Sequence, residues 1–397
     1  MRRLLIISDM AHYHGDAVVG WGPTVQEIDH LAQLFDEVRH IAFLYEGPAP
    51  DSMIPYTSPR VRLVPVPPSG GNTVRRKLGV MLRLPSYART VLAELSQADV
   101  VHLRCPASVS LIGLMLLTVL RRPHIRWVKY AGAWQPRGRD PLSYALQRWW
   151  ILRGFQRGAV TVNGRWPGQP VHIRSFHNPC LTSGEREEAR IGAEGKQLGT
   201  PARLLFVGAM VRNKQPRHAV QILASLRRRG IDAVLDMVGD GQERVACERL
   251  ASELGVASRV VFHGWLPRPA IATFYAGAHL LLVPSESEGW PKVLSEGMAH
   301  GVVPVASAVG SIAQHLSEFG VGKSIDPSDL EGFAEAVTGY LWHPGSWKEE
   351  SRRAIGAAAA FSYEKYLDAV AELLDSEQRR VTGDGAEPFI RVAMRRS

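Results

Sequence analysis

At 397 residues the chain exceeds one ordinary core, and at roughly 100–200 residues per domain it calls for two. Apolar residues at 45% and charged residues at 21% exclude a disordered chain, a coiled coil and a collagen-like repeat. The net charge of +9 is uneven: residues 1–180 hold 22 basic and 11 acidic side chains (+11), residues 181–397 hold 25 and 27 (−2), so an anionic partner would meet the first half.

Short apolar runs alternate with longer helical patterns. LLIIS at 4–8, HIAFL at 40–44, VRLVPV at 61–66, ADVVHL at 98–103, IRWVKY at 125–130 and AVTVN at 159–163 predict strands, with helices over 24–37, 73–95 and 107–121. The second half repeats the scheme. RLLFVG at 203–208, AVLDMVG at 233–239, RVVFHG at 259–264, HLLLVPS at 279–285 and VVPVAS at 302–307 read as strands, and helices are predicted near 215–229, 242–254, 268–276 and 291–300. Such alternation implies parallel sheets with helices on both faces. The division predicted is a Rossmann-like domain over 1–180, a polar linker over 181–202, a second domain over 203–360, a C-terminal helix over 361–378 packing back on the first domain, and a loose tail over 379–397.

The richest segment for chemistry is SESEGWPKVLSEGMAHG at 285–301. Glu288 follows an apolar strand, Pro291 suits a helix start and Gly301 a helix end. Glu296 then lies about 7–8 Å into that helix at 1.5 Å per residue. Ligands of open α/β sheets bind at this end of the strands, and a helix N-terminus offers backbone N–H groups to an anion. The arrangement suits a nucleotide sugar, with phosphates over the amides of Gly289, Trp290, Lys292 and Val293, Glu296 on the ribose diol and Glu288 on sugar hydroxyls. Two solvated carboxylates on a surface helix are the plainer alternative. In LLFVGAMVRNKQ at 204–215 a strand ends at Gly208 and is followed by Arg212 and Lys214, cations able to neutralise a diphosphate without a metal. RVVFHGWLP at 259–267 places His263, Gly264 and Trp265 at a strand end, where they would flank a base.

In order along the chain, FVG…K at 206–214, VGDG at 238–241, VxFHG at 260–264, PSxSEG…E at 284–296 and GVVPVAS…G at 301–310 resemble the second half of family 4 retaining glycosyltransferases. The resemblance implies the GT-B fold: two doubly wound, Rossmann-like α/β domains facing a central cleft. It also implies transfer with retention, and donor contacts for the residues matching Glu288, Glu296 and Lys214. In the first half ADVVHLR at 98–104 and SFHNP at 175–179 match more weakly. GWGPTVQEIDHLAQLF at 21–36 and WVKYAGAW at 127–134 resemble a bacterial surface-polysaccharide branch. Three positions depart from the pattern. Ala209 stands where an Arg is frequent, Pro291 where a Gly is frequent, and Tyr130 near the place of the usual active-site His. His12 and His14, in AHYHGD after the first strand, are the substitutes for that His, with a structural or solvated role as the alternative.

The expected partners are therefore a UDP-, GDP- or dTDP-sugar and a glycan or lipid-linked hydroxyl acceptor. No cofactor is expected, and without an Asp-x-Asp triplet no metal. A sugar-nucleotide epimerase and a non-catalytic binding module on the same fold are the rival readings. Gly322-Lys323-Ser324 lacks the first Gly of a phosphate-binding loop, no nucleic-acid module is recognisable, and the three scattered cysteines form neither a disulfide framework nor a zinc site. The four apolar residues after Met1-Arg2-Arg3 are too few for a signal peptide, and Val109–Leu120 is too short to span a bilayer, so a cytoplasmic location is expected. The basic amphipathic stretch VRRKLGVMLRLPSYARTVLAEL at 74–95, kinked or split at Pro85, suggests docking on an anionic membrane face. An ordinary surface helix is its alternative.

Overall fold

The apolar runs separate into two parallel sheets, each in its own compact unit of a computed structural model that describes residues 2–15, 17–69, 74–138 and 141–383, with backbone only at 74–82. The first unit takes residues up to Trp134, Gly138–Phe176 and the chain from Tyr366; the second takes Gln135–Arg137 and His177–Lys365.

In the first unit the strands are β1 (Arg3–Tyr13), β2 (Val19–Trp21), β3 (Glu37–Tyr45), β4 (Met53–Pro55), β5 (Val61–Val66), β6 (Val100–Cys105), β7 (Ile125–Tyr130), β8 (Ala159–Val162) and β9 (Ile173–Ser175). The parallel sheet runs β5-β3-β1-β6-β7-β8-β9, and β2 and β4 add antiparallel beside the end of β1. Helices α1 (Gly22–Leu31), α2 (Val74–Leu95), α3 (Ser108–Val119) and α4 (Leu142–Leu152) connect them. Alternate strand residues serve opposite faces. Leu5, Ile7, Val101 and Leu103 pack with Tyr87, Val91 and Leu95 of α2, whereas Leu4, Ile6 and Val100 pack with Ile28 and Leu31 of α1. Burial on both faces is why these strands read as unbroken apolar runs.

The second unit repeats the logic with β10 (Ala202–Val207), β11 (Ala233–Val238), β12 (Val260–Gly264), β13 (Leu280–Val283), β14 (Val303–Ser307) and β15 (Lys323–Ile325), in the order β12-β11-β10-β13-β14-β15. Its helices are α5 (Ser183–Gly192), α6 (Pro216–Arg228), α7 (Arg244–Glu253), α8 (Arg268–Gly277), α9 (Lys292–Ala299), α10 (Ile312–Phe319), α11 (Leu330–Trp342) and α12 (Pro344–Ala357). Leu204 and Phe206 face α6 and α11 through Leu223 and Phe333, and Leu205 faces α9 through Leu294 and Met298. The last helix, α13 (Tyr363–Thr382), buries Tyr366, Val370, Leu373 and Leu374 in the same core as Leu4 and Ile6 of the first unit.

Several readings of the sequence need amending. The polar stretch 181–202 contains α5, because Thr182 and Glu185 form a capping box: the Glu185 N–H donates to the Thr182 hydroxyl at 3.1 Å, and the Thr182 N–H to the Glu185 carboxylate at 2.7 Å. Helix α2 runs on through Pro85 without splitting, since a proline removes one N–H and the turns beyond it are anchored by Tyr87, Val91 and Leu95. In that helix Arg75, Arg76, Lys77, Leu78, Val80, Met81 and Leu82 have side chains outside the described ones. Helix α13 continues to Thr382, past the start of the expected loose tail, and residues 384–397 of that tail lie outside the described residues.

Burial leaves several imidazoles neutral. The rings of His12 and His279 are each pushed down to about 4, chiefly by desolvation. The unfolded chain binds protons on them near 6.5, so acid favours unfolding. Their contribution is whole above pH 6.5 and is lost as pH falls from about 6.5 towards 4. Thermal melting should therefore be flat near pH 7–8 and drop by several degrees towards pH 5; a flat profile across that range would contradict the burial of these rings.

Candidate functional site: the strand ends of the second unit

In the second sheet the chain moves outward from β10 through β11 to β12, then returns to β13 and moves outward the other way. The switch between β10 and β13 is where an open α/β sheet forms its ligand crevice, beyond the strands' carboxyl ends. Two loops meet there. The loop after β10 starts at Gly208, whose φ of +153° suits glycine. A Cβ on Gly239, at the end of β11, would lie 2.0 Å from the Gly208 carbonyl oxygen, so glycine is required there. Arg212–Lys214 form one 3₁₀ turn before α6.

The loop after β13 is tied to the first along several residues. The Glu286 N–H donates to the Asn213 carbonyl at 2.9 Å, the Asn213 amide to the Ser287 carbonyl at 3.0 Å, and the Gln215 amide to the Glu286 carboxylate. The Lys214 ammonium donates to Glu288 Oε1. Thus Lys214 and Glu288, 74 positions apart in sequence, form an ion pair across the switch. Glu288 keeps 11% of its side-chain surface and Lys214 30%, so both can still meet a solute. Behind this loop, the N–H and hydroxyl of Ser311 both donate to the Gly289 carbonyl at 3.0 and 2.9 Å. A Cβ on Gly310 would strike the Glu288 carbonyl at 2.0 Å.

Helix α9 opens directly after this loop with Pro291 as its N-cap and no side-chain cap. Its first N–H groups are those an anion would use. The corresponding place in the first unit is filled: at the start of α3, the Val109 N–H donates to Asp9 at 2.9 Å and the Ser108 hydroxyl at 2.6 Å. At α9 the N-cap residue supplies no such side-chain bond. Glu296 stands one turn into α9, half-buried, and the Tyr275 hydroxyl of α8 donates to its Oε2 at 3.0 Å. Burial and the charge of Glu296 hold the Tyr275 hydroxyl protonated, well above its usual range.

The other anticipated residues divide. Arg212 is exposed on the 3₁₀ turn. Lys292 begins α9 with its ammonium 6.0 Å from the centre of the Tyr363 ring, and Val293 packs partly against the core. His263, on the edge strand β12, is bonded through Nε2 to Asp236 at 2.7 Å and leans on the Phe274 ring. Gly264 has a φ of +72°, and its carbonyl accepts from the Gly239 N–H at 2.8 Å, so it supports the glycine turn after β11. The Trp290 indole is buried, stacks on Phe361 at 4.9 Å and donates Nε1–H to Ser295, which leaves the backbone amide, the group assigned to the phosphate.

His12 also needs correcting. β1 does not stop at Ser8; after an irregularity between Ile7 and Ala11 it resumes pairing with β3, and His12 lies inside the strand. It is fully buried, bonded through Nε2 to the Tyr56 hydroxyl at 2.9 Å, and that hydroxyl also bonds His40 at 2.7 Å. His14 is exposed beyond the strand. Tyr130 is buried in the core with its hydroxyl accepting from Arg148 at 2.9 Å. Sequence reasoning missed Tyr275, Asn213, Glu286 and Ser311: Asn213 and Glu286 lie inside the quoted segments but act by pairing the two loops with each other, and Tyr275 and Ser311 lie outside those segments. Among the described residues no group of three or more His, Cys, Asp or Glu is placed to hold a metal, and no helix is long and apolar enough to cross a membrane.

Residues 190–379 match the family model described as glycosyl transferases group 1, a stretch that takes in the whole β10–β15 sheet and both loops. D-inositol 3-phosphate glycosyltransferase of Mycolicibacterium paratuberculosis is 36% identical over 134 residues, which are 34% of this chain and 30% of that protein. 2-Deoxystreptamine glucosyltransferase of Streptomyces kanamyceticus is 32% identical over 223 residues, 53% of this chain and 58% of that protein. The chain thus spans between about a third and just over half the length of these relatives. Among solved structures, Anabaena HepE in complex with UDP superposes with a TM-score of 0.65 at 15% identity, over 95% of this chain and all of that one. The two doubly wound units are those of the GT-B fold.

Proposed function

We propose that the chain is a glycosyltransferase that moves a sugar from a nucleoside diphosphate sugar to a hydroxyl acceptor with retention at the anomeric carbon. The observation that carries this reading is the Lys214–Glu288 pair across the β10/β13 switch, beside the uncapped start of α9 and one turn from Glu296. In this reading Glu296 accepts the ribose hydroxyls and Glu288 the hydroxyls of the sugar. The N–H groups of Gly289, Trp290, Lys292 and Val293 and the cations Lys214 and Arg212 face the diphosphate. When the bond to the anomeric carbon breaks, negative charge grows on the leaving diphosphate; fixed cations and a helix N-terminus stabilise it without a metal. His263 and Gly264 border the base. Of the two histidines considered for the hydroxyl proton, His12 is buried and His14 exposed, so the role is given to His14.

A uridine donor is favoured by the UDP bound to a structural neighbour. For the acceptor, the resemblance of segments 21–36 and 127–134 favours a glycan or lipid-linked acceptor of exopolysaccharide, capsule or lipopolysaccharide synthesis, handled at the inner membrane face. The names of the relatives favour a second reading, a cyclitol hydroxyl, since inositol phosphate and 2-deoxystreptamine are both cyclitols. The test is nucleotide release from UDP-, GDP- and dTDP-sugars with a lipid-linked glycan, with an inositol phosphate, and with no acceptor. Acceptor-dependent release supports transfer and selects between the two acceptors. Conversion of the donor without an acceptor would reveal an epimerase, and binding without turnover a binding module. Activity should survive excess EDTA; complete loss restored by Mg²⁺ or Mn²⁺ would contradict neutralisation by Lys214 and Arg212.

Glu296→Ala should weaken nucleoside diphosphate binding by about 1.5–3 kcal/mol, roughly 10- to 150-fold, because charged hydrogen bonds to the ribose are lost. Tyr275→Phe should cost less, since it removes only the partner of one carboxylate oxygen. Calorimetric titration with UDP checks both, and parent-like affinity in Glu296→Ala would remove the ribose role.

A further inference from the structure

Helix α4 is turned inside out. Of its eleven residues only Gln147 and Ile151 are buried. The Gln147 side chain accepts from the Ala107 N–H at 3.0 Å, and the Trp150 indole donates to the Thr118 hydroxyl of α3 at 3.0 Å, so the helix is fastened from one side. The opposite side carries Leu142, Leu146, Trp149 and Leu152, spaced i, i+4, i+7 and i+10, which puts them in one stripe. That apolar stripe faces water: Leu142 is 88% exposed and Trp149 47%. The Thr118 bond brings the end of α3 alongside, where Val119 is 74% exposed. Beyond the helix Phe155 is exposed too, its ring 5.5 Å from that of Trp149. An ordinary surface helix has its apolar stripe on the core side, and soluble proteins keep contiguous exposed apolar patches small.

The sequence on either side of the stripe is predominantly basic. Between residues 107 and 175 there are eleven Lys and Arg and one acid, Asp140. Arg121, Arg122, Arg153 and Arg157 are exposed around the ends of α3 and α4. A second copy of the chain would set these arginines against their own equivalents, because a two-fold interface pairs a patch with itself. An anionic lipid surface meets every feature at once. Leucines suit the acyl boundary, Trp149 the headgroup level, and arginines the anionic headgroups.

We propose that the outward face of α4, together with the end of α3, docks the chain on an anionic lipid surface. The residues of this face are other than those of the basic stretch 74–95, and the proposal does not depend on the transfer reaction.

The experiment is co-sedimentation of the full chain with vesicles of phosphatidylcholine alone or mixed with phosphatidylglycerol, at low and high salt. Three variants are compared with the parent: Leu142→Ser with Leu146→Ser and Trp149→Ser; Arg121→Glu with Arg122→Glu and Arg153→Glu; and Arg75→Glu with Arg76→Glu and Lys77→Glu. The first two sets alter exposed side chains, and circular dichroism melting confirms that every variant is folded. The expected result is preference for the phosphatidylglycerol vesicles, weakened by salt, and a loss of about tenfold or more in both α4 variants but not in the third. Binding that survives both α4 variants and fails in the third would move the docking surface to α2 and overturn the proposal. So would equal binding to the two vesicle types, or a concentration-dependent dimer of the parent that dissociates in the Leu142/Leu146/Trp149 variant.

Discussion

Glu288→Gln and Lys214→Ala should each lower turnover by about a hundred- to a thousandfold, the usual cost of removing one preorganised group from the place where transition-state charge develops. The two changes act differently. Glu288→Gln keeps the shape of the side chain and removes its charge, so the Lys214 ammonium loses its charged partner and, in the proposed donor site, the sugar hydroxyls lose a strong acceptor. Lys214→Ala removes the cation that would meet the leaving diphosphate and leaves the Glu288 carboxylate unopposed at the mouth of the crevice, where it repels an anionic donor. The first should chiefly lower kcat; the second should also raise KM. Both residues keep contact with solvent, so melting temperatures should stay close to the parent's. Parent-like kcat/KM in both variants would take the ion pair out of the reaction.

Glu27→Ala should have the largest effect on stability. Glu27 is 1% exposed, and its Oε1 accepts from Arg104 at 2.7 Å, from Lys129 at 2.7 Å and from the Tyr366 hydroxyl at 3.0 Å. One carboxylate therefore neutralises two cations from adjacent strands and fixes α13 to the first core. Removing one partner of a buried ionic group leaves uncompensated charge and costs about 3–5 kcal/mol. At about 2–4 °C per kcal/mol for a unit of this size, the melting temperature should fall by roughly 10 °C. A melting temperature within about a degree of the parent's would mean that water reaches Arg104 and Lys129 and that the cluster carries no such weight.

These two cases also mark what could be read from the chain. The strand–turn–helix frame around Glu288 was legible because it is local: an apolar strand, a glycine turn, a proline-opened helix and a second glutamate lie within one short segment, and strands buried on both faces announce themselves as apolar runs. The Glu27 cluster was not legible, since its partners stand 77, 102 and 339 positions away and sequence alone does not pair them. The misplacement of His12 had a cause in the backbone. An irregular pairing after Ile7 interrupts β1 without ending it, and the apolar pattern alone reads as a strand end. Trp290 sits inside a loop motif and points away from it, because the motif constrains the backbone and the core claims the indole. No helix was read from the sequence over 142–152, and its apolar residues do not single out a buried side; Gln147 and Ile151 do so, through their burial and the Gln147 contact with Ala107.

The most direct test of the donor site is a crystal structure of the chain with UDP. The expected structure has the ribose hydroxyls within hydrogen-bond distance of Glu296, the diphosphate over the first N–H groups of α9, and the Lys214 ammonium turned from Glu288 towards a phosphate oxygen. A nucleotide bound elsewhere, or one at the β10/β13 switch whose ribose makes no contact with Glu296, would contradict it.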